Sequence, residues 1–133
     1  MVNAFRILLP FVLAALLVAP SLAAENQPVS KRQQYVYVLK LAPRMQAANA
    51  WTDTENGVIG RHFARLAKAA DTGQVILAGR TTEALDKTFG LVIFEAESDE
   101  AARLFMEADP AVEANIMSAT LHPYSVALYR KTR

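Results

Sequence analysis

Apolar and polar positions change their spacing several times along the chain, and each change marks an element. The run YVYVLKL from Tyr35 to Leu41 is rich in aromatic and β-branched residues and is stopped by Pro43, which predicts a strand. Ala42 to Thr54 is a connection longer than a turn and holds the single tryptophan, Trp51. From about Thr54 to Thr72 the apolar residues Ile59, Phe63, Leu66, Ala67 and Ala70 recur three and four apart, which predicts a helix with Arg61, Arg65 and Lys68 facing outward. Gly73 supplies its left-handed stop, and His62 falls at the edge of the stripe. QVILAGR (Gln74 to Arg80) and TFGLVIFEA (Thr88 to Ala96) predict two further strands joined by Thr81 to Lys87. Ser98 is an N-cap for a second helix, with Asp99 and Glu100 in its first turn and Ala101, Leu104, Phe105 and Ala108 on its apolar face. Asp109-Pro110 opens one more short helical turn, and Ala119 to Arg130 predicts a last strand interrupted near Pro123.

The order strand, helix, strand, strand, helix, strand is that of two β-α-β units with right-handed crossovers. It predicts an α+β fold of the ferredoxin-like type, a four-stranded antiparallel sheet with both helices on one face. A sheet covered on one side alternates apolar with polar, yet YVYVL and LVIF are apolar on both faces. A second copy packed sheet against sheet is the expected cover, so the chain is expected to form a homodimer.

Upstream of these elements the pattern is of another kind. The amino terminus and Arg6 precede an apolar run from Ile7 to Ala19, then Pro20 and the small residues Ser21 and Ala23. This is the make-up of an export signal cleaved after Ala23. The run is about 13 residues long, short of the roughly 20 that span a bilayer. Residues 24–34 are polar and read as a flexible leader, which leaves 35–130 as one domain. The localisation expected from this is periplasmic or extracellular.

Without residues 1–23 the chain keeps 110 residues, with 13 basic against 13 acidic side chains. A neutral domain without a basic run has no electrostatic footprint for nucleic acid or an anionic membrane, and neither is expected as a partner. There is no cysteine, so disulfides, thiol catalysis and thiolate metal sites are excluded and stability rests on packing.

His62 is suited to proton transfer because an ordinary imidazole titrates near working pH. Asp109 before Pro110 is the pattern of a helix N-cap, and such a carboxylate can offer its other oxygen to an imidazole. The two histidines, His62 and His122, lack metal-ligand spacing, and no axial-ligand motif points to haem, so no cofactor is expected.

Three segments, RHFARLAKAADTGQVILAGRT, VIFEAESDEAARLFMEADPAVEANIM and LHPYSVALY, resemble in order and spacing the YciI-like proteins, the YCII-related domain. The matching features are His62, Gly73, Gly79, Asp109 with Pro110, and Pro123 with Tyr124, and the resemblance spans Tyr35 to Tyr129. It implies a dimeric α+β barrel in which a histidine and an aspartate face a cleft, here His62 and Asp109. Relatives in the wider superfamily include muconolactone isomerases, small monooxygenases and haem-handling proteins, so fold alone does not choose a reaction. The chain departs from the family pattern at Arg80, where many members have proline, at Asn115, near a usual glycine, in the enlarged loop before the first helix, and in its leader.

Two functional expectations follow. The first is an enzyme of the isomerase or lyase type acting on a small organic molecule, with His62 moving a proton, Asp109 orienting it, and Arg80, Tyr37 and Tyr124 positioning the ligand. The second is a non-catalytic dimer that binds a small molecule or docks on a partner, with His62 and Asp109 fastening two helices together.

Overall fold

The computed structural model describes residues 32–131; the expected export signal and most of the leader lie outside them. Strand β1 (Gln33–Leu41) leads through two short 3-10 turns, Pro43–Met45 and Ala48–Ala50, to helix α1 (Asp53–Asp71). Strands β2 (Val75–Arg80) and β3 (Phe89–Ala96), helices α2 (Asp99–Glu107) and α3 (Pro110–Glu113), and strand β4 (Met117–Tyr124) follow. The sheet order is β2-β3-β1-β4, with every neighbouring pair antiparallel. This is the ferredoxin-like α+β arrangement that the element order predicts.

Local chemistry sets the ends of the helices. The Thr52 hydroxyl accepts the Thr54 amide at 3.2 Å to open α1, and Gly73, at φ 79°, closes it. Ser98 caps α2 by accepting the Ala101 amide at 3.1 Å. Asn115, at φ 53°, ends α3 in the left-handed region that asparagine tolerates better than most residues with a side chain.

The helix-facing side of the sheet carries Tyr35, Tyr37 and Leu39 from β1 with Val92, Phe94 and Ala96 from β3, all buried. Phe105 of α2 stacks on Phe94 with ring centroids 4.7 Å apart, and Tyr37 meets Phe94 edge-on at 5.7 Å. Cross-strand register puts Val36, Val38, Leu91, Ile93 and Leu77 on the opposite side, so the central strands are apolar on both faces. The register of β2 slips between Val75 and Leu77. Among the described residues no helix is long and apolar enough to cross a membrane.

Three expectations are corrected. The buried stripe of α1 is Val58, Leu66 and Ala69 with His62 and Arg65 mostly covered, while Phe63 is 73% exposed. The apolar band on this helix is wider than the face the sheet covers, and periodicity alone placed the stripe one residue too far round. Arg65 accordingly points inward instead of outward. The last strand starts earlier than expected, at Met117, and stops at Tyr124, because β1, its one partner among the described residues, begins at Gln33 and offers nothing further to pair with. The tail beyond is held by the Gln34 side chain, whose oxygen accepts the Val126 amide at 2.8 Å and whose nitrogen donates to the Tyr129 hydroxyl at 2.7 Å.

The long connection after β1 is a packed element. Met45 is fully buried against Val58 and Ile116, and Trp51 donates its indole N–H to the Met45 carbonyl at 3.0 Å. Arg44 donates to the Ala114 carbonyl at 3.0 Å and ties the loop to the end of α3. Met45→Ala is expected to cost about 2–5 kcal/mol in urea unfolding, accompanied by a red shift of Trp51 fluorescence as the loop loses its anchor.

Candidate functional site

Three elements converge on one carboxylate. Ala-Asp-Pro places Asp109 at the N-cap of α3, with Pro110 at the first helical position where its missing N–H costs nothing. Asp109 is fully buried, and its Oδ1 accepts the Ala111 amide at 2.9 Å. Tyr37, in the middle of β1, donates its hydroxyl to Oδ2 at 2.9 Å. From α1, His62 brings Nδ1 to 2.7 Å from Oδ1 and 2.9 Å from Oδ2.

Burial is the largest single influence on the Asp109 carboxyl and raises its pKa. The His62 hydrogen bond and charge, the Ala111 amide and the Tyr37 hydroxyl together outweigh it, so the carboxyl is held below its ordinary value. Burial, followed by the charge of Asp109, pushes the Tyr37 hydroxyl far above the usual phenol range, and Tyr37 stays a neutral donor. An ionised Asp109 takes its bond from a protonated Nδ1. In the neutral imidazole this leaves Nε2 with its lone pair free, the arrangement of a general base oriented by a carboxylate.

His62 lines a concavity of about 690 Å³. Its wall is the face of α1 that the sheet leaves uncovered, with Phe63 and Ala67, and its floor is Leu39, Ala78 and Gly90. A Cβ on Gly90 would come to 3.3 Å from that of Leu39, so the missing side chain keeps the floor low. Trp51 closes one end, and Arg80 and Leu85 stand at the other, where the chain leaves β2.

The residues singled out in the sequence therefore separate into groups. His62 and Asp109 are in direct contact, and Arg80 shares the concavity with His62. Tyr37 is buried and reaches Asp109, so it supports the pair from beneath and does not line the concavity. Tyr124 pairs with Gln34 across the edge of the sheet and is apart from both. His122 pairs with Val36, which puts it on the opposite face from His62.

Sequence reasoning missed Arg65. Its guanidinium lies 4.2 Å above the Phe105 ring and donates to the Phe105 carbonyl at 2.7 Å, while Nη1 is buried with no partner among the described residues. It adds a partly buried positive charge beside Tyr37 that offsets a small part of the rise in the Tyr37 pKa. The available signal was its position three residues after His62, which puts both on one helical face.

Comparison with known proteins gives a family match. The family model described as "YCII-related domain" matches residues 33–121. None of the curated proteins searched matches the sequence. A similar solved structure is that of 5-chloro-2-hydroxyhydroquinone dehydrochlorinase from Burkholderia phenoliruptrix AC1100, in complex with 2,5-dihydroxybenzoquinone, at 21% identity and a TM-score of 0.47. That match covers 69% of this chain and 93% of the other.

Because the folded state lowers the Asp109 pKa, the stability it contributes is complete above the ordinary carboxyl value of about 4 and is lost as pH falls through the depressed one. Asp109→Asn is expected to lower stability near neutral pH by about 3 kcal/mol. The same variant should flatten the acid limb of the stability profile, as measured by urea unfolding from pH 7 to pH 3.

Proposed function

This chain belongs to the YCII-related domain family, and we propose that it is an enzyme that moves a proton on a small organic molecule, in the manner of an isomerase or lyase. The observation that carries this reading is His62, whose Nδ1 is committed to a buried carboxylate while the ring lines a concavity large enough for a small ligand. Nε2 takes a proton from a carbon acidified by a neighbouring carbonyl, and the resulting imidazolium is stabilised by Asp109. Return of the proton to another position completes an isomerisation; departure of a leaving group from the adjacent carbon completes an elimination. Tyr37 and the Ala111 amide hold Asp109 still, so the ring keeps one orientation through both steps.

A second reading has an observation of its own. Asp109 caps α3 and is bonded by groups from α1 and β1, so the pair also fastens three elements together. In a non-catalytic binding or docking dimer this would be its whole purpose. His62→Gln would then cost about 1–3 kcal/mol of stability with no activity to lose.

The working form is proposed to be an exported homodimer. Support for export is the leader with its small residues at Ser21 and Ala23. Support for the dimer is the apolar centre of the outer sheet face, formed by Val36, Val38, Leu91 and Ile93.

In D2O, with a panel of aromatic and aliphatic ketones and keto acids, the protein is expected to speed exchange of the carbon-bound hydrogen, followed by NMR. His62→Gln should slow that exchange at least about 100-fold. No exchange on any compound, or exchange as fast in the variant, would overturn the reading. For the exported form, intact mass should give a chain starting at Ala24 and light scattering a dimer, which Ile93→Lys converts to monomer.

A further inference from the structure

We propose that the concavity takes an apolar molecule carrying a single carboxylate, and that Arg80 binds the carboxylate. The proposal deepens the proton-transfer reading and rests on it for placing the reacting carbon against His62.

Few polar groups of the lining remain for a ligand. The Trp51 indole N–H is spent on the Met45 carbonyl, and the Thr88 hydroxyl donates to the Thr81 carbonyl at 2.9 Å. His62 keeps Nε2. Arg80 makes one long hydrogen bond, from Nη1 to the Thr81 carbonyl at 3.4 Å, and among the described residues no carboxylate pairs with it. Among the described residues no acidic side chain lines the concavity, and Glu83 and Asp86 on the adjoining loop stand outside the lining. One uncompensated cation at the edge of an otherwise apolar surface selects a ligand with one negative charge and little other polarity. A guanidinium with most of its N–H groups unspent is suited to a planar carboxylate, which it binds through two parallel hydrogen bonds.

Register fixes the reach of such a molecule. Arg80 pairs with Gly90, and Gly90 with Leu39, whose side chain packs under the helices, so all three positions belong to the helix-facing side. Two strand spacings separate Arg80 from Leu39, about 10 Å. Gly90 has no side chain to obstruct the ground between them. The ligand body lies over that glycine, along Phe63, with its charged end outward at Arg80 and its reacting end inward at His62.

The test uses an isosteric pair, 2-naphthoate and its neutral amide 2-naphthamide, titrated calorimetrically against the protein, Arg80→Gln and His62→Gln. In the parent, naphthoate should bind at least about tenfold more tightly than the amide, a difference of about 1.4 kcal/mol. Arg80→Gln should bring the two within about twofold by weakening naphthoate alone, since only that ligand offers charge-assisted bonds. His62→Gln should keep the preference while losing proton exchange, so the two proposals fail separately. Equal binding of the pair, binding of neither, a preference that survives Arg80→Gln, or one that vanishes in His62→Gln would each overturn the assignment.

Discussion

A carboxylate withdrawn entirely from water costs several kcal/mol unless its lone pairs find donors. Asp109 meets that demand with an imidazole, a phenol and a backbone amide drawn from α1, β1 and α3. None of those elements can shift without taking a donor away from the buried carboxylate. The demand fixes where α1 lies over the sheet, which way the chain turns after α2, and how the His62 ring is rotated. The same bonds that compensate burial keep the carboxyl ionised, so the structural requirement and the chemical one are met by a single set of contacts.

The concavity follows from how α1 sits. With His62 and Leu66 turned to the sheet, the helix presents a surplus of apolar surface on the side toward β2, where Ala78 and Gly90 are too small to fill the gap. A wide apolar band on the helix and small residues on β2 and β3 together leave space beside the imidazole. The loop after β1, anchored by Met45, walls one end with Trp51.

Much of this was legible in the residues. Ser98, Gly73 and the Asp109-Pro110 pair mark helix boundaries through mechanisms confined to one or two turns, and the structure places the boundaries there. The two-faced apolar pattern of the central strands reads directly because a strand's side-chain period is fixed at two. The helical stripe reads less well: a residue's angle on a helix is known, but which arc the sheet covers depends on packing, and so Phe63 was misplaced and Arg65 turned the wrong way. Tyr37 and Tyr124 look alike in the sequence, yet strand register puts one under Asp109 and the other at an edge on the opposite face. The contact between His62 and Asp109 spans 47 positions and was suggested by family resemblance, since nothing local to either residue dictates it.

The two outer strands have a bearing on assembly. On one side β2 loses its register between Val75 and Leu77, and on the other Pro123 in β4 offers no N–H. Each irregularity spoils the rim as a template for another strand, the route by which open sheets grow into ribbons and fibres. Head-to-tail growth is thereby discouraged on both flanks. What remains open to self-association is the broad surface of the sheet, the face on which the proposed dimer would close around an axis and stop.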